Sequence, residues 1–439
     1  MSLDDALFIQ KCYLCSMKKA VATVILLLHI PLAFGQIAID TAFDNNVKSV
    51  YLTRVGTELS RPFLRMAKDG VQEDFLLLEF DLLGTDSPNL RYRIKHCDAE
   101  WRFDDLEPYE FMYGMEDGNI ENHEFSFTTL HDYVHYKQTI PSEMSQFTAS
   151  GNYVVEVFPD DSPDSLMLRR RFSVYEDAVG ISASVEKTTT SASNLSEDQE
   201  VDVAVSAKRD AVVSLNPQYM RVFVQQNKRV DMVHELHHSE MEHSRIIYRW
   251  SEANIFPGGN SFRYFDMSTL RSQRHHIQRI EQWGGENFAF LQPEDVRGGK
   301  SYINTTTLNG GMKTNTIDRT NPDTEADYAW VNFSVPMKLP YMNGSVHVVG
   351  DLTDWSLGEK SRMEWQQNYK AYTLRLLLKQ GYYSYQLVFL PVGQQTAQTA
   401  PLEGDFFATE NNYTVYVYFR QPGDRYDRLL AIKEIRKSN

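Results

Sequence analysis

Short runs of alternating apolar and polar residues recur along most of the chain. Residues 201–205 (VDVAV) and 413–419 (YTVYVYF) alternate with a period of two, which is typical of β-strands. Further strands are predicted where aromatic and branched residues lie between Gly, Pro, Asn or Asp, over 75–83, 91–96, 153–158 and 171–175. Strands at this spacing, without alternating helices, predict an all-β protein built of tandem immunoglobulin-like or E-set β-sandwiches.

Some stretches break the strand pattern. Residues 429–436 have helical spacing and predict one short helix. Residues 182–199 and 304–323 are polar and predict loops. These shifts divide the chain into a first β-sandwich over 40–178, a second β domain over 179–324, a C-terminal E-set sandwich over 325–432 and a basic tail over 433–439.

The first 35 residues have the pattern of an export signal. A second start, Met17, precedes two lysines and the apolar run 20–34. Small residues end this run, so we expect cleavage between Gly35 and Gln36, with residues 1–16 as an upstream extension. The run is too short for a comfortable membrane span. A buried core segment or an uncleaved anchor is the alternative interpretation.

Charge and cysteine content narrow the class of protein. The net charge of −15 repels phosphate backbones and anionic membranes, so we expect no nucleic-acid partner. Cys12 and Cys15 precede the predicted cleavage site, which leaves Cys97 without a disulfide partner. An exported chain of this size without a disulfide favours a bacterial periplasm.

One short motif suggests zinc chemistry. Residues 234–238 (HELHH) match the H-E-x-x-H pattern, in which His234 and His238 bind zinc and Glu235 is the general base. That chemistry requires a helix, and the neighbouring positions here are polar. The run also lies between two strand-like stretches, so we predict a strand and hairpin loop. A zinc metallopeptidase is kept as an alternative.

Three other patterns do not support a site. Residues 297–301 (RGGKS) imitate a phosphate-binding loop, but Glu294 replaces the required Gly. His275 and His276 have no nearby third ligand. Cys97 lies between His96 and Asp98, and we expect a small, semi-buried thiol. We therefore predict no catalytic residue, cofactor site or metal site.

The C-terminal part has a more extended motif. Residues 344–355 (GSVHVVGDLTDW) and 379–389 (KQGYYSYQLVF) resemble glycogen- and starch-binding sandwich modules. Trp355 matches the first sugar-binding tryptophan of these modules. Gln386 replaces the basic residue and 394–395 (QQ) replace the second tryptophan. Trp355 is therefore either a contact for a sugar or a partner, or a residue that seals the sandwich.

Several longer segments resemble the type IX secretion system plug proteins of the Bacteroidota. The resemblance covers nearly the whole mature chain in order and is weakest over 225–244. The segments that carry it are 91–101 (RYRIKHCDAEW), 123–141 (HEFSFTTLHDYVHYKQTIP), 258–271 (GGNSFRYFDMSTLR), 325–335 (EADYAWVNFSV) and 404–428 (GDFFATENNYTVYVYFRQPGDRYDR).

The resemblance implies a non-catalytic periplasmic protein at the inner face of the outer membrane. It implies docking on the outer-membrane β-barrel translocon, whose periplasmic opening the protein closes when cargo is absent. It implies no cofactor, no small-molecule substrate and no membrane span of its own. A periplasmic glucan-binding protein acting through Trp355 is the first alternative, and the zinc peptidase is the second.

Overall fold

The computed structural model describes residues 37–68, 71–188, 195–208, 215–242 and 244–437. Met17 and the predicted cleavage site at Gly35 and Gln36 lie outside these residues. From Ala38 onward the chain forms one compact unit. Among the described residues, no helix combines the length and apolar character needed to cross a membrane.

The first part of the chain forms a sandwich of two facing sheets. Its elements are β1 (Thr41–Ala42), β2 (Val47–Arg54), β3 (Phe63–Arg65), β4 (Leu76–Leu83), β5 (Leu90–Cys97), α1 (Pro108–Phe111), β6 (Met112–Tyr113), β7 (Asp117–Ile120), β8 (Asn122–Phe125), β9 (Tyr133–Ile140), β10 (Gln146–Phe147), β11 (Gly151–Pro159) and β12 (Leu168–Tyr175). One sheet has the order β1-β12-β11-β5-β7 and the other β2-β4-β9-β8. Phe80 and Tyr153, from opposite sheets, belong to one core.

Eighteen further strands follow in the described chain. They are β13 (Val179–Lys187), β14 (Asp198–Ala207), β15 (Met220–Gln226), β16 (Val233–Leu236), β17 (Glu240–Glu242), β18 (Arg245–Tyr248), β19 (Ile255–Pro257), β20 (Arg263–Asp266), β21 (Ile277–Trp283), β22 (Glu286–Leu291), β23 (Met312–Thr314), β24 (Tyr328–Pro336), β25 (Gly344–Val349), β26 (Arg362–Gln366), β27 (Ala371–Lys379), β28 (Gly381–Pro391), β29 (Asn412–Phe419) and β30 (Arg428–Arg436). Helix α2 covers Pro322–Glu325, and 3-10 turns cover Pro217–Tyr219, Glu252–Asn254 and Asp351–Thr353.

The second sandwich, called the middle sandwich, is completed by the last two strands. One sheet is β13-β14-β18-β17, with β19 also paired to β14. The other is β16-β15-β29-β30, in which Val222 of β15 pairs with Val417 of β29. Val203, Val222 and Val415 lie in one core between these sheets. The middle sandwich therefore needs strands from two distant parts of the sequence.

The third unit, called the last sandwich, has nine strands joined in one continuous sheet that folds over on itself, since strands from its two ends share one core. Its order is β20-β28-β25-β26-β27-β24-β22-β21, and β23 also pairs with β28. Phe265, Phe333 and Tyr385 come from three of these strands and pack ring against ring in its core. The all-β prediction is thus confirmed, and so is the arrangement as tandem sandwiches.

Four sequence-based expectations differ from the strand pairing. The helix predicted over 429–436 is wrong, because these residues form β30 on the free edge of β29. The loop predicted over 182–199 is wrong up to Lys187 and again from Asp198, because β13 pairs with β14 there. The loop predicted over 304–323 is wrong at Met312–Thr314, which form β23 and pair with β28. The ranges 179–324 and 325–432 stay predictions. Strand pairing nevertheless crosses them, since β20–β23 join the last sandwich and β29–β30 join the middle one.

A buried ion pair fastens β20 to the chain that follows β28. Arg263 Nε donates to Glu403 Oε1 at 2.8 Å, and Nη2 donates to Glu403 Oε2 at 3.1 Å. Arg263 also donates to Glu294 and to the carbonyl of Asp295. Both partners of the central pair are almost fully buried. Removing one charge would leave the other without compensation in a low-dielectric interior.

Replacement of Arg263 by Met is therefore expected to lower the free energy of unfolding by about 3–5 kcal/mol. Chemical denaturation measures this change. The matched control is Arg245→Met, whose partner Glu242 is exposed and whose loss is expected to cost less than about 1 kcal/mol. Equal effects of the two substitutions would contradict the role of the buried pair.

Three carboxylates share one face of the β13–β14 hairpin. Glu186 lies directly opposite Glu200, and Asp202 lies two residues further along the same strand. Burial, together with repulsion from Glu200 and Glu186, raises the pKa of Asp202 to about 6, although Arg249 opposes this rise. Asp202 Oδ1 is buried and has no hydrogen-bond partner among the described residues. The folded state therefore holds the proton of Asp202 to a higher pH than the unfolded state does.

Asp202→Asn is expected to stabilise the protein at pH 7 by about 1 kcal/mol, since Asp202 is partly exposed and its charge is screened. The unfolded carboxyl releases its proton near pH 3.8, whereas the folded one releases it near pH 6. Between these two pH values the folded state binds more protons than the unfolded state, so the free energy of unfolding falls as the pH rises. Asp202→Asn removes this pH dependence, because asparagine does not titrate. Denaturation midpoints of both proteins between pH 4 and 7 measure this pH dependence of stability. Exposed Asp86→Asn is the control, and an unchanged pH slope in Asp202→Asn would refute the expectation.

Candidate functional site

Trp355 lies at the end of the last sandwich and is only 4% exposed. Its indole Nε1 donates to Asp351 Oδ1 at 2.7 Å. The ring packs edge-on to Phe262 and contacts Val349 and Val388 in a small core cluster. Trp355 therefore offers no open ring face to a sugar or a partner. This geometry supports the interpretation that it seals the sandwich.

The HELHH run forms a strand and a loop, as the sequence predicts. His234 is in β16 and stacks on Phe256 at 4.3 Å, and burial lowers the pKa of His234. Glu235 faces the opposite side of the strand and binds Arg221 at 2.7 Å. His238 is exposed beyond the strand. The three residues do not converge, so the alternative zinc site of a peptidase does not form.

The structure also shows where the other three short motifs of the sequence lie. Residues 297–301 dock on the segment near Leu402, whose carbonyl accepts the backbone N–H of Arg297 at 2.7 Å. His275 and His276 are exposed. Cys97 is fully buried, and burial raises the pKa of its thiol far above the usual range. The thiol is therefore more enclosed than we expected and is unsuited to nucleophilic attack.

A cavity of about 490 Å³ lies beside the three carboxylates of the β13–β14 hairpin. Its other lining residues are Lys187, Trp250 and Phe407. Arg249 stacks on the ring of Trp250 at 3.8 Å. The lining contains no hydroxyl, thiol or imidazole group, so the cavity offers none of these as a nucleophile.

A buried polar cluster joins the first sandwich to the last. Asp81 Oδ1 on β4 accepts a hydrogen bond from His135 Nδ1 on β9 at 2.6 Å. Its other oxygen accepts from Lys379 Nζ and from the hydroxyl of Tyr328, each at 2.6 Å. Burial lowers the pKa of Lys379 and raises the pKa of Tyr328. Asp81 thus has a hydrogen-bond donor from each of three strands.

The edge of this cluster carries more charge. Glu79 Oε1 lies 3.7 Å from His135 Nε2, and Lys137 Nζ lies 2.6 Å from Asp323 Oδ2 and 3.4 Å from Glu79 Oε1. The sequence pattern did not predict this cluster. The available signal was the pair of carboxylates at alternate positions of an otherwise apolar strand, 75–83 (FLLLEFDLL). Their partners on α2 and β27 could not be identified from that pattern.

Exposed apolar side chains gather at one end of the first sandwich. The Tyr113–Met144 patch consists of Tyr109, Tyr113, Met115 and Met144, which are 64–88% exposed. Its two segments are joined because β6 pairs with β10 and because Ser145 Oγ accepts the N–H of Met115 at 3.1 Å. Monomeric proteins rarely leave several large apolar residues together in water without an interaction role.

A second group of exposed apolar residues lies at a loop end of the last sandwich. The Met342–Val392 patch consists of Leu339, Met342, Tyr369 and Val392. The backbone N–H of Val392 donates to the carbonyl of Asn343 at 2.9 Å, and that of Met337 donates to Lys370 at 2.9 Å. Met342 and Met144 are almost equally exposed, at 85% and 88%.

Comparison with known proteins gives two informative matches. The family model for "Type 9 secretion system plug protein 1st domain" matches residues 47–176, most of the first sandwich. The crystal structure of a hypothetical protein from Parabacteroides merdae is 30% identical with a TM-score of 0.87, and the match covers 92% of this chain and all of that one.

The other comparisons add no support. The BSP domain of a biofilm-associated protein is 10% identical over 92% of this chain and 84% of its own, with a TM-score of 0.16, which is too low for an argument. No curated protein matches the chain. The family resemblance noted from the sequence is confirmed by the plug-domain match. The first sandwich of this chain thus belongs to the type 9 secretion system plug protein family, which indicates a role in type 9 secretion.

Proposed function

We propose that this protein is a non-catalytic plug that docks on the outer-membrane type IX translocon and closes its periplasmic opening. The observation that carries this proposal is the plug-domain match over residues 47–176. The expected export signal supports a location in the periplasm, at the inner face of the outer membrane. The translocon barrel is the partner, and no cofactor or small-molecule substrate is required.

The contacts between the first and middle sandwiches support such a role, because a plug has to keep its sandwiches in fixed relative positions. Arg61 donates to the carbonyl of Asn227 at 2.7 Å and to Gln225 Oε1 at 2.6 Å. The hydroxyl of Tyr418 donates to Asn152 Oδ1 at 2.8 Å. With the Asp81 cluster on the other side, buried polar contacts hold the first sandwich to both neighbours. These contacts oppose the domain motions expected of loosely linked units.

The absence of a convergent catalytic arrangement among the sequence-predicted motifs is consistent with a mechanical role. His234 and Glu235 face opposite sides of a strand, and Trp355 is buried. Docking and shape complementarity require none of these residues to react. Function then depends on the surface that meets the barrel.

The Tyr113–Met144 patch is the surface that we assign to the translocon. It lies inside the segment matched by the plug-domain model, whereas the Met342–Val392 patch lies outside it. Aromatic and methionine side chains are enriched at protein interfaces, and methionine adapts to irregular surfaces. A patch of four such residues makes a modest interface, which suits a plug that must be released when cargo arrives.

Affinity purification of the tagged protein from solubilised outer membranes is expected to recover a very large β-barrel partner. Deletion of the gene is expected to increase outer-membrane permeability to a periplasmic reporter while the translocon is idle. Restoration by the wild-type gene is the control. The proposal would be contradicted if the deletion strain had the same outer-membrane permeability as its parent and the purification recovered no barrel.

Met144→Glu is expected to reduce recovery of the translocon at least about tenfold, because a carboxylate placed in an apolar interface has to be desolvated without a partner. Met342→Glu is the matched control, since it makes the same change at an equally exposed methionine outside the matched segment. Both variants should unfold at the same temperature as the wild type. Equal recovery with both variants would remove the assignment of this patch.

A further inference from the structure

We propose that Glu79, His135 and Asp323 form a binding site for a divalent transition-metal ion, with Zn²⁺ as the probe. The site lies where β4 and β9 of the first sandwich meet α2, just before the last sandwich strand β24. One ligand atom from each residue lies within 4.8 Å of the other two. This inference is independent of docking on the translocon.

His135 has the arrangement of a metal-ligating histidine. Its ring Nδ1 lies 2.6 Å from Asp81 Oδ1, and in the neutral tautomer that donates from Nδ1 to this carboxylate the lone pair lies on Nε2. A carboxylate that fixes the histidine tautomer in this way is a regular companion of zinc ligands. His135 is only 5% exposed, and its Nε2 is buried without a hydrogen-bond partner among the described residues. A buried nitrogen of this kind is costly unless it is satisfied by some group.

The two carboxylates complete a donor set that suits zinc. Glu79 Oε1 lies 3.7 Å from His135 Nε2. Two ligands that are each about 2.1 Å from a tetrahedral ion lie about 3.4 Å apart, so a small inward movement is sufficient for this pair. Asp323 supplies the third ligand from α2, and water can supply a fourth. Imidazole with carboxylates favours zinc over calcium or magnesium, which prefer oxygen alone.

Lys137 holds the position of the cation in the metal-free protein. Its ammonium lies 2.6 Å from Asp323 Oδ2 and 3.4 Å from Glu79 Oε1, between the two carboxylates. Its side chain is one-quarter exposed and can turn to solvent. Metal binding requires this displacement, so Lys137 weakens the affinity for the ion. This competition gives the proposal a specific signature.

The test is titration of the purified full chain with Zn²⁺ against a chromophoric chelator at pH 8, with thermal unfolding in parallel. The wild type is expected to bind one equivalent and to unfold at a higher temperature with zinc than without it. Glu79→Gln and Asp323→Asn are expected to weaken binding about tenfold or more, as loss even of an outer partner does. Lys137→Met is expected to tighten binding, because the competing ammonium is gone.

Glu143→Gln, at an exposed position outside the site, is the control and is expected to bind zinc like the wild type. Glu79 and Asp323 are partly exposed and their amide replacements keep the side-chain shape, and circular dichroism will verify their folding. The proposal is overturned if the wild type fails to bind one equivalent. It is also overturned if the Glu79 and Asp323 variants bind as tightly as the control, because the ion would then lie elsewhere.

Discussion

Backbone pairing between β15 and β29 determines how the rest of the molecule is arranged. The strands β20–β28 lie between these two partners in the sequence, so the last sandwich is an insertion within the middle one. Its incoming and outgoing connections touch, since Asn411 donates to the carbonyl of Gly258 at 2.7 Å. A Cβ at Gly258 would lie 2.2 Å from the carbonyl oxygen of Phe406, so only glycine permits this close approach. Two adjacent connections restrict rotation of the last sandwich far more than a single linker would.

Buried polar contacts add specificity to this arrangement. Asp81 and Arg263 sit in interiors where charge is costly, and each is compensated by several directed hydrogen bonds. An apolar contact would tolerate sliding, whereas these donors and acceptors match in one orientation only. At the Asp81 cluster the first and last sandwiches therefore have a defined relative position. That property suits the plug role that we propose.

Local pattern was sufficient to predict individual strands but not their partners. Period-two alternation predicted β14, in which one face is more buried than the other, and β29, which is buried on both faces. Residues 429–436 lack this alternation and have helical spacing, yet the structure shows a strand there because β29 offers a free edge. The partner of β29 is β15, and no local signal connects segments so far apart in the chain.

The candidate sites also separate into features that the local sequence predicts and features that depend on distant residues. The prediction that HELHH forms a strand and loop came from its polar neighbours and flanking strands, which are local features. The burial of Trp355 depends on Phe262, which is distant in sequence, so both interpretations were open until the fold was known. The cluster around His135 was missed because its partners Asp323 and Lys379 come from elements that the sequence cannot place beside β9.

The inserted order of the strands also has a consequence for biogenesis. A chain made from its N-terminus exposes β15 long before β29 exists, and the half-built middle sandwich then presents an unpaired edge. Such edges invite pairing with the wrong chain, and distant partners slow their closure. The nested last sandwich can gather its own strands meanwhile, which brings the two ends of the insertion together. We therefore expect assembly to proceed from the inside outward, and we expect a holding chaperone to be most useful during that interval.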